Sequence, residues 1–199
     1  MVDTASAPLA PPAPLLRPTL AFALRHPAHF IALGAGSGLS PIMPGTVGTL
    51  WGWLVFAALD GVWGRGPVAD LYWALTLAAG WLLGWWACTR TAQALRVADP
   101  GSVVWDEVWA IWLVLWLASP VDWRGELLAV IAFRVFDMVK AGPVGWADAL
   151  FKARPGQPIG WAQGLGIMFD DLVAAACTLI VLALAVAWRQ GGPLVGVLG

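Results

Sequence analysis

Five stretches of the chain are apolar enough to form helices of a membrane bundle, and shorter polar stretches separate them. They are residues 47–63, 71–88, 108–118, 127–138 and 172–188. Because about 20 helical residues span the roughly 30 Å of hydrocarbon in a bilayer, the second and fifth are nearly long enough. The third and fourth are short and either span with their polar ends at membrane depth or form a tilted or re-entrant pair. The pattern predicts an all-α, polytopic membrane helical bundle of about five helices.

Composition supports a membrane location. Hydrophobic residues make up 60% of the 199 residues and charged residues 12%, against about 25% charged in soluble domains. The mean hydropathy is +0.76, and the 15 tryptophans are typical of residues at bilayer interfaces. The net charge of −1 gives no basic surface for nucleic acid. We therefore expect a lipid bilayer as partner and no nucleic acid, and the sequence leaves the oligomeric state open.

The chain divides into a tail and one domain. Residues 1–24 are rich in Ala and Pro and predict a disordered tail, and residues 25–199 predict a single membrane-embedded domain. Cytoplasmic loops are enriched in Lys and Arg. With a cytoplasmic N-terminus, seven such residues fall on that face (Arg17, Arg25, Arg90, Arg96, Lys140, Lys152, Arg154) and three on the other (Arg65, Arg124, Arg189). The asymmetry predicts this orientation.

This orientation brings separate polar stretches to one side of the membrane. Residues 34–49, 99–107, 134–140 and 170–171 all fall at cytoplasmic ends of the apolar segments. The opposite loops, residues 61–70 and 119–126, are short, and we expect no clustered chemistry there. The convergence predicts one functional site on the cytoplasmic face.

Five acidic residues abut or enter the apolar segments: Asp106, Glu107, Asp137, Asp170 and Asp171. A carboxylate at the centre of a membrane helix costs about 2.5–3.5 kcal/mol on insertion scales, so such residues usually have a function. The alternative is that the pairs at 106–107 and 170–171 open helices, where the helix dipole favours negative charge. That alternative does not apply to Asp137, which ends a helix.

Cations must compensate these carboxylates if they are close together. Hard oxygen ligands suit Mg²⁺, and the two histidines, His26 and His29, lie in the N-terminal approach. Arg134, Asp137 and Lys140 are spaced i, i+3, i+6, which predicts one helical stripe of a phosphate-binding guanidinium, a metal ligand and an ammonium. The alternative is a salt-bridged stripe at a helix end.

The stretch at residues 34–49 contains five glycines and four hydroxyl residues. Glycine lets backbone amides approach an oxyanion, and amides at a helix start bind phosphate. The candidate phosphate contacts are Gly36, Ser37, Ser40, Thr46 and Thr49. The stretch lacks the lysine of a Walker loop, and a turn-rich approach to the membrane would also explain it. The chain also lacks the motifs of phosphatases that form covalent intermediates, so a phosphatase reaction would use water activated by a metal.

Four motifs together resemble the phosphatidylglycerophosphatase A family. They are GAGSGLSPIMPGTVGT (34–49), DPGSVVWDE (99–107), FRVFDMVK (133–140) and GLGIMFDD (164–171). The resemblance implies a Mg²⁺-dependent phosphatase of the bacterial inner membrane. It would hydrolyse the phospholipid phosphatidylglycerophosphate to phosphatidylglycerol and inorganic phosphate.

The resemblance places the family's acidic positions on the five acidic residues and its basic positions on Arg134 and Lys140. We expect Asp137, Asp170 and Asp171 to bind metal, and Asp106 or Glu107 to be a ligand or general base. Arg134 and Lys140 would neutralise phosphate charge. Two departures bear on the substrate entrance: Ala141-Gly142-Pro143 replaces the family's Pro-x-Pro, and residues 152–163 predict a longer polar loop.

Two other functions stay open. The substrate could be a different lipid phosphate, such as a polyprenyl phosphate or phosphatidate. The protein could instead be a small transporter whose intramembrane acids relay cations or protons. Transport requires acids near the midplane that connect both faces, whereas the predicted acids gather at one face.

Overall fold

The computed structural model describes residues 17–119, 122–151 and 157–189, and these residues contain helices and no strand. The elements in chain order are α1 (Leu20–Ala23), α2 (Pro27–Ala32), a 3₁₀ helix (Gly34–Leu39), α3 (Pro44–Trp63), α4 (Pro67–Leu95), α5 (Trp105–Ala118), α6 (Trp123–Val139), α7 (Pro143–Leu150) and α8 (Trp161–Arg189). The five predicted apolar segments all lie in helices, namely α3, α4, α5, α6 and α8. The predicted all-α membrane bundle is confirmed.

Helix length separates the five apolar helices into two groups. The helices α3, α4 and α8 are long and apolar enough to cross a membrane. By contrast, α5 has 14 residues and α6 has 17, or about 21 and 25 Å at about 1.5 Å per residue. Both are shorter than a hydrocarbon core of about 30 Å. The number of spans and the orientation stay predictions.

The short helix α5 lies at the centre of the bundle and packs against α3, α4 and α8. Its side chains are apolar on nearly every face, and Ala110, Ile111, Val114 and Leu115 are fully buried. A helix that is apolar all round is typical of a buried core element. Two glycines of α3 permit this close packing: a Cβ at Gly52 would come within 2.7 Å of Ile111 in α5, and one at Gly48 within 2.7 Å of Val104, the residue before α5.

Tryptophan has a role inside the bundle that the sequence interpretation did not include. Four tryptophans spaced along α5 donate their indole N–H groups to neighbouring helices. The donors and acceptors are Trp105 to Gly80 O, Trp109 to Leu77 O, Trp112 to Gly52 O and Trp116 to Asp70 Oδ1. Trp109 and Trp112 are buried. The expectation that tryptophan marks the membrane interface therefore does not account for these interior residues.

The predicted tail and the predicted polar loop differ from the structure in their boundaries. Residues 1–16 of the predicted tail lie outside the described residues, whereas Leu20–Ala23, assigned to that tail, form α1. Residues 152–156 of the predicted loop also lie outside them. The last three residues of that loop, 161–163, are helical, because α8 begins at Trp161. The loop is therefore shorter than predicted.

Candidate metal and phosphate site

Three carboxyl groups from two helices meet at one end of α5. Asp106 and Glu107 lie in the first turn of α5, where the helix dipole favours negative charge. Asp171 comes from α8. One ligand oxygen from each of the three residues lies within 4.8 Å of the others. We call Asp106, Glu107 and Asp171 the carboxylate cluster.

The position of Asp171 corrects one alternative raised from the sequence. Asp170 and Asp171 do not open a helix, since α8 begins at Trp161, about 15 Å earlier along the axis at about 1.5 Å per residue. Both side chains are buried, with 7% and 3% exposure. The dipole at a helix start therefore cannot explain these two acids.

Helix α6 adds a fourth carboxylate and a cation to the cluster. Asp137 lies close enough to Asp171 for the two carboxyl groups to interact directly. Arg134 Nη1 lies 2.5 Å from Asp137 Oδ2 and 3.6 Å from Glu107 Oε1. The i, i+3 pairing within α6 therefore forms as the sequence predicts, and it extends across to α5.

Several polar atoms of this region are buried without a hydrogen-bonding partner among the described residues. They are Asp106 Oδ1, Glu107 Oε2, Asp171 Oδ2, Arg134 Nε and Thr46 Oγ1. Burying a polar or charged group without a partner is costly. The oxygens of the carboxylate cluster are thus available as ligands for a cation, and the Arg134 nitrogen is available to an anion.

The start of α3 closes the site from another side. A Cβ at Gly45 would overlap Glu107 Oε1 and would lie 3.2 Å from Arg134 Nη2, so the absence of a side chain at Gly45 lets α3 approach both groups. Thr46 follows in the same first turn, and no side chain caps this end of α3. The positive end of the helix dipole therefore lies beside the carboxylate cluster.

Lys140 takes a different position from the predicted stripe. It ends α6 in a left-handed conformation, with φ of 45°, so it leaves the helical row of Arg134 and Asp137. Its Nζ contacts Asp148 Oδ1 at 2.7 Å and Asp170 Oδ2 at 2.6 Å. Burial alone would lower the pKa of Lys140, but the hydrogen bonds and charges of Asp148 and Asp170 outweigh it and raise that pKa above its ordinary value.

Asp170 joins Lys140 instead of the carboxylate cluster. Consecutive helical residues point about 100° apart, so Asp170 and Asp171 face different neighbours. Asp148, on the short helix α7, is a partner of Lys140 that the sequence interpretation missed. A single acid in an eight-residue helix gave no periodic signal, and only the packing of α7 against α8 brings it here.

The five predicted phosphate contacts in residues 34–49 have different surroundings. Three hydroxyls donate to nearby backbone carbonyls: Ser37 to Gly34, Ser40 to Ile42 and Thr49 to Gly45. Gly36 has φ of 104° and an open surrounding. Thr46 follows Gly45, whose Cβ position would lie 3.2 Å from Arg134 Nη2, and its own hydroxyl is buried without a partner among the described residues.

The opposite end of the bundle contradicts the expectation that its loops carry no clustered chemistry. A pocket of about 250 Å³ there is lined by Asp60, Arg65, Asp70, Trp116 and Ser119, among other residues. Arg65 pairs with Asp60 at 2.8 Å and also bonds to Ser119. Asp70 accepts from Trp116 at 3.2 Å. Folding of the hairpin between α3 and α4 brings together side chains that are dispersed in sequence.

Comparisons with known proteins agree with the motifs. The family model described as Phosphatidylglycerophosphatase A matches residues 30–186. A Phosphatidylglycerophosphatase A of Escherichia coli (strain K12) is 35% identical over 162 residues, which cover 80% of this chain and 83% of that protein. A Haemophilus influenzae protein of the same name is 33% identical over 171 residues, covering 86% and 96%.

A third relative carries a different name. A Bacteroides thetaiotaomicron protein, provisionally named a phosphatidylinositol-3-phosphatase, is 34% identical over 161 residues, covering 78% of this chain and 91% of that protein. No solved structure matches the chain. The family model covers most of the chain, and the first two relatives match at similar identity along nearly their full lengths. The chain therefore belongs to the phosphatidylglycerophosphatase A family of lipid phosphatases.

Proposed function

We propose that this protein hydrolyses phosphatidylglycerophosphate to phosphatidylglycerol and inorganic phosphate in a Mg²⁺-dependent reaction. The observation that carries the proposal is the carboxylate cluster. Its three members hold ligand oxygens within 4.8 Å of one another, and each has a buried oxygen without a partner among the described residues. The names of the E. coli and H. influenzae relatives support the choice of substrate.

The cluster fits Mg²⁺ by its donor chemistry. Asp106, Glu107 and Asp171 would hold the ion through carboxylate oxygens, the ligands that Mg²⁺ prefers. Asp137, which lies beside Asp171, adds a fourth carboxylate at its edge. When bound, Mg²⁺ supplies positive charge that polarises the phosphoryl group and activates water as the nucleophile.

The chain's own residues would bind and orient the phosphate. Arg134 is held by Asp137 and Glu107, and its Nε is buried without a partner among the described residues. It would donate charge-assisted hydrogen bonds to phosphate oxygens. The Thr46 hydroxyl and the start of α3 would bind the same group from the other side. Of Asp106 and Glu107, one would accept the proton of the attacking water.

Lys140 and Asp170 have a supporting role in this proposal. Their ion pair, shared with Asp148, joins the end of α6 to α7 and α8. Lys140 would therefore act on phosphate through its charge, while its contacts fix the position of α8. This assignment moves Asp170 from the predicted metal ligands to the residues that position the site.

We place the site at the cytoplasmic face of the bacterial inner membrane. The asymmetry of Lys and Arg supports the orientation. Eighteen residues separate Asp171 from Arg189 at the end of α8, or about 27 Å of helix. That length matches a hydrocarbon core of about 30 Å, so the acids would lie close to the membrane surface, where a phospholipid headgroup lies.

Another lipid phosphate is the second candidate substrate, and the name of the B. thetaiotaomicron relative favours it.

A transport function lacks comparable support. The carboxylate cluster and the far-end pocket are separated by packed apolar side chains, among them Phe56, Ile111 and Leu115, all at most 1% exposed. These side chains leave little room for a polar path between the two ends.

The test is phosphate release by the purified protein in detergent. Phosphatidylglycerophosphate, phosphatidate and a phosphatidylinositol monophosphate would be offered separately at equal mole fraction, with Mg²⁺ or with EDTA. We expect the first substrate to have a kcat/KM at least about tenfold above the others, a difference of about 1.4 kcal/mol. EDTA should abolish turnover and added Mg²⁺ should restore it. Preference for another lipid would contradict the substrate, and full turnover after exhaustive chelation would contradict the metal.

A further inference from the structure

The outer face of α3 carries an apolar groove beside the proposed phosphate site. Its volume is about 410 Å³, and it is lined by Ala35, Ser37, Val47, Leu50, Trp51 and Leu54. We call these six residues the α3 groove. Its four side chains from α3 are apolar and exposed, with Leu54 at 63%. Because α3 is long and apolar enough to cross a membrane, the groove would face the hydrocarbon of the bilayer.

The groove begins where the proposed phosphate site ends. Thr46, Leu50 and Leu54 are four residues apart, so they follow one another along a single face of α3. Thr46 is the polar first member of this row, and its hydroxyl is buried without a partner among the described residues. A Cβ at its neighbour Gly45 would overlap Glu107 Oε1 and lie 3.2 Å from Arg134 Nη2. Along the first three turns of α3, the surroundings therefore change from the charged groups beside Gly45 to the polar Thr46 and then to the apolar Leu50 and Leu54.

The glycine-rich stretch also contributes to the groove. Ala35 and Ser37, in the 3₁₀ helix, are among its lining residues. The same 3₁₀ helix packs closely on the loop before α5, since a Cβ at Gly38 would overlap the backbone of Ser102. One short element thus borders both the groove and the loop that leads into Asp106.

We infer that the α3 groove holds one acyl chain of the phospholipid substrate while the phosphate of that molecule occupies the site. The inference rests on the proposed function. Lipid tails are as apolar as the groove, so burial alone adds little to binding in a membrane. The groove acts by orientation, because a chain held along α3 directs its own headgroup to the start of that helix.

The experiment compares two lengths of acyl chain in groove variants. Leu54→Trp fills the end of the groove farthest from the phosphate, and Leu50→Trp fills it nearer the site. Leu75→Trp is the matched control, because Leu75 is an exposed leucine (59%) on α4. Each purified variant would be assayed with dioleoyl and with dihexanoyl phosphatidylglycerophosphate in the same detergent, and its thermal unfolding would be measured.

For the dioleoyl substrate we expect Leu54→Trp to lower kcat/KM about fivefold and Leu50→Trp about tenfold, as expected for lost orientation. For the dihexanoyl substrate, whose chains end before Leu54, Leu54→Trp should stay within about twofold of wild type. Leu75→Trp should change neither value. The inference is overturned if Leu54→Trp lowers kcat/KM equally for both substrates, or if the control Leu75→Trp loses as much as the groove variants. It is also overturned if no variant depends on chain length, the result expected if bulk lipid fills the groove. If the wild type hydrolyses neither substrate, the proposed function itself fails and this inference with it.

Discussion

Both ends of the bundle gather charged side chains, yet the two groups differ in how their charges are satisfied. At the far end Asp60 pairs with Arg65, Arg65 bonds to Ser119, and Asp70 accepts from Trp116. Asp70 and Arg65 are also open to solvent. These contacts hold the hairpin between α3 and α4 to the end of α5, which is a structural role.

At the site end the same residue types are buried and incompletely paired. The carboxylate cluster holds three carboxylates near a single guanidinium, and each carboxylate keeps a buried oxygen without a partner among the described residues. The far-end pocket also contains one buried donor of this kind, the indole N–H of Trp73. An indole is neutral, and leaving it unpaired costs much less than leaving a carboxylate unpaired. Buried, unpaired charge therefore distinguishes the carboxylate cluster from the far-end pocket, whose charged groups are paired and structural.

The largest expected effect compares one aspartate from each end. Asp171→Asn keeps the shape of the side chain but removes the charge that would hold Mg²⁺, and we expect kcat to fall at least about a hundredfold, or about 2.7 kcal/mol. Asp70→Asn should stay within about twofold, because its carboxylate only accepts from Trp116. Phosphate release at saturating Mg²⁺ measures both. Equal losses in the two variants would remove the distinction between the ends.

The next prediction uses two glycines of α3. Gly45→Ala places a methyl group against Glu107 and Arg134, so we expect kcat/KM to fall about tenfold or more through displacement of both groups. Gly61→Ala, in the same helix, has nothing within 4 Å of its new Cβ. It should keep full activity and gain roughly 0.5–1 kcal/mol of stability.

Purified variants would be compared by phosphate release and by thermal unfolding in the same detergent. An unchanged kcat/KM in Gly45→Ala would show that the start of α3 does not border the reacting groups.

A moderate effect is expected at the ion pair between α6 and α7. Asp148→Asn leaves Lys140 with Asp170 as its remaining carboxylate partner in that pair, and we expect about a fivefold loss of kcat with little change in KM. The far-end counterpart, Asp60→Asn, breaks a pair with Arg65, whose side chain is 49% exposed, and kcat should stay within about twofold, because this pair lies far from the carboxylate cluster and partly exposed pairs contribute about 0–1 kcal/mol.

A double variant tests whether Asp148 acts on the site through Lys140. Lys140→Met should already lose the contribution of the pair, so adding Asp148→Asn to it should cost little more, because interacting residues are non-additive. Independent, multiplying losses would mean that Asp148 acts on the site without Lys140.

The smallest effect is expected for the histidines. His29 Nδ1 lies 3.0 Å from Thr91 Oγ1, and His26 Nδ1 accepts from the backbone of Ala28. The His29 contact joins α2 to α4, the His26 contact caps the start of α2, and neither reaches the carboxylate cluster. His26→Ala and His29→Ala should each keep kcat within about threefold of wild type. A complete loss in either variant, with unfolding unchanged, would point to a histidine base.

The sequence predicts the large helices well because long apolar stretches have few other solutions in a membrane. It also predicts that Asp106, Glu107 and Asp171 lie close together, as they do in the structure. The orientation in the membrane and the roles of these residues stay predictions. The sequence could not separate Asp170 from Asp171. That distinction depends on the rotation of α8, and hydropathy detects this helix only from residue 172, eleven residues after its start at Trp161.

Local conformation explains the other differences. Lys140 leaves its predicted stripe because it adopts a left-handed backbone conformation at the end of α6, which a spacing rule does not include. The helices α1, α2 and α7 are too short to give a clear periodic signal. The far-end pocket was missed because Asp60 lies in α3 and Asp70 in α4, on either side of the turn with Arg65, and only the packing of this hairpin against the end of α5 brings them to Trp116 and Ser119.

The four indole bonds of α5 have a consequence for biogenesis. Each donor lies on α5, and the acceptors lie on α3 or α4. While α5 is in a bilayer by itself, these N–H groups face hydrocarbon and lack acceptors, which is costly. Because α3 and α4 precede α5 in the chain, we expect them to stay beside the translocation machinery until α5 emerges, so that the three helices leave it as one unit. The vertical position of Asp106 and Glu107 would then be set during insertion, before α8 delivers Asp171.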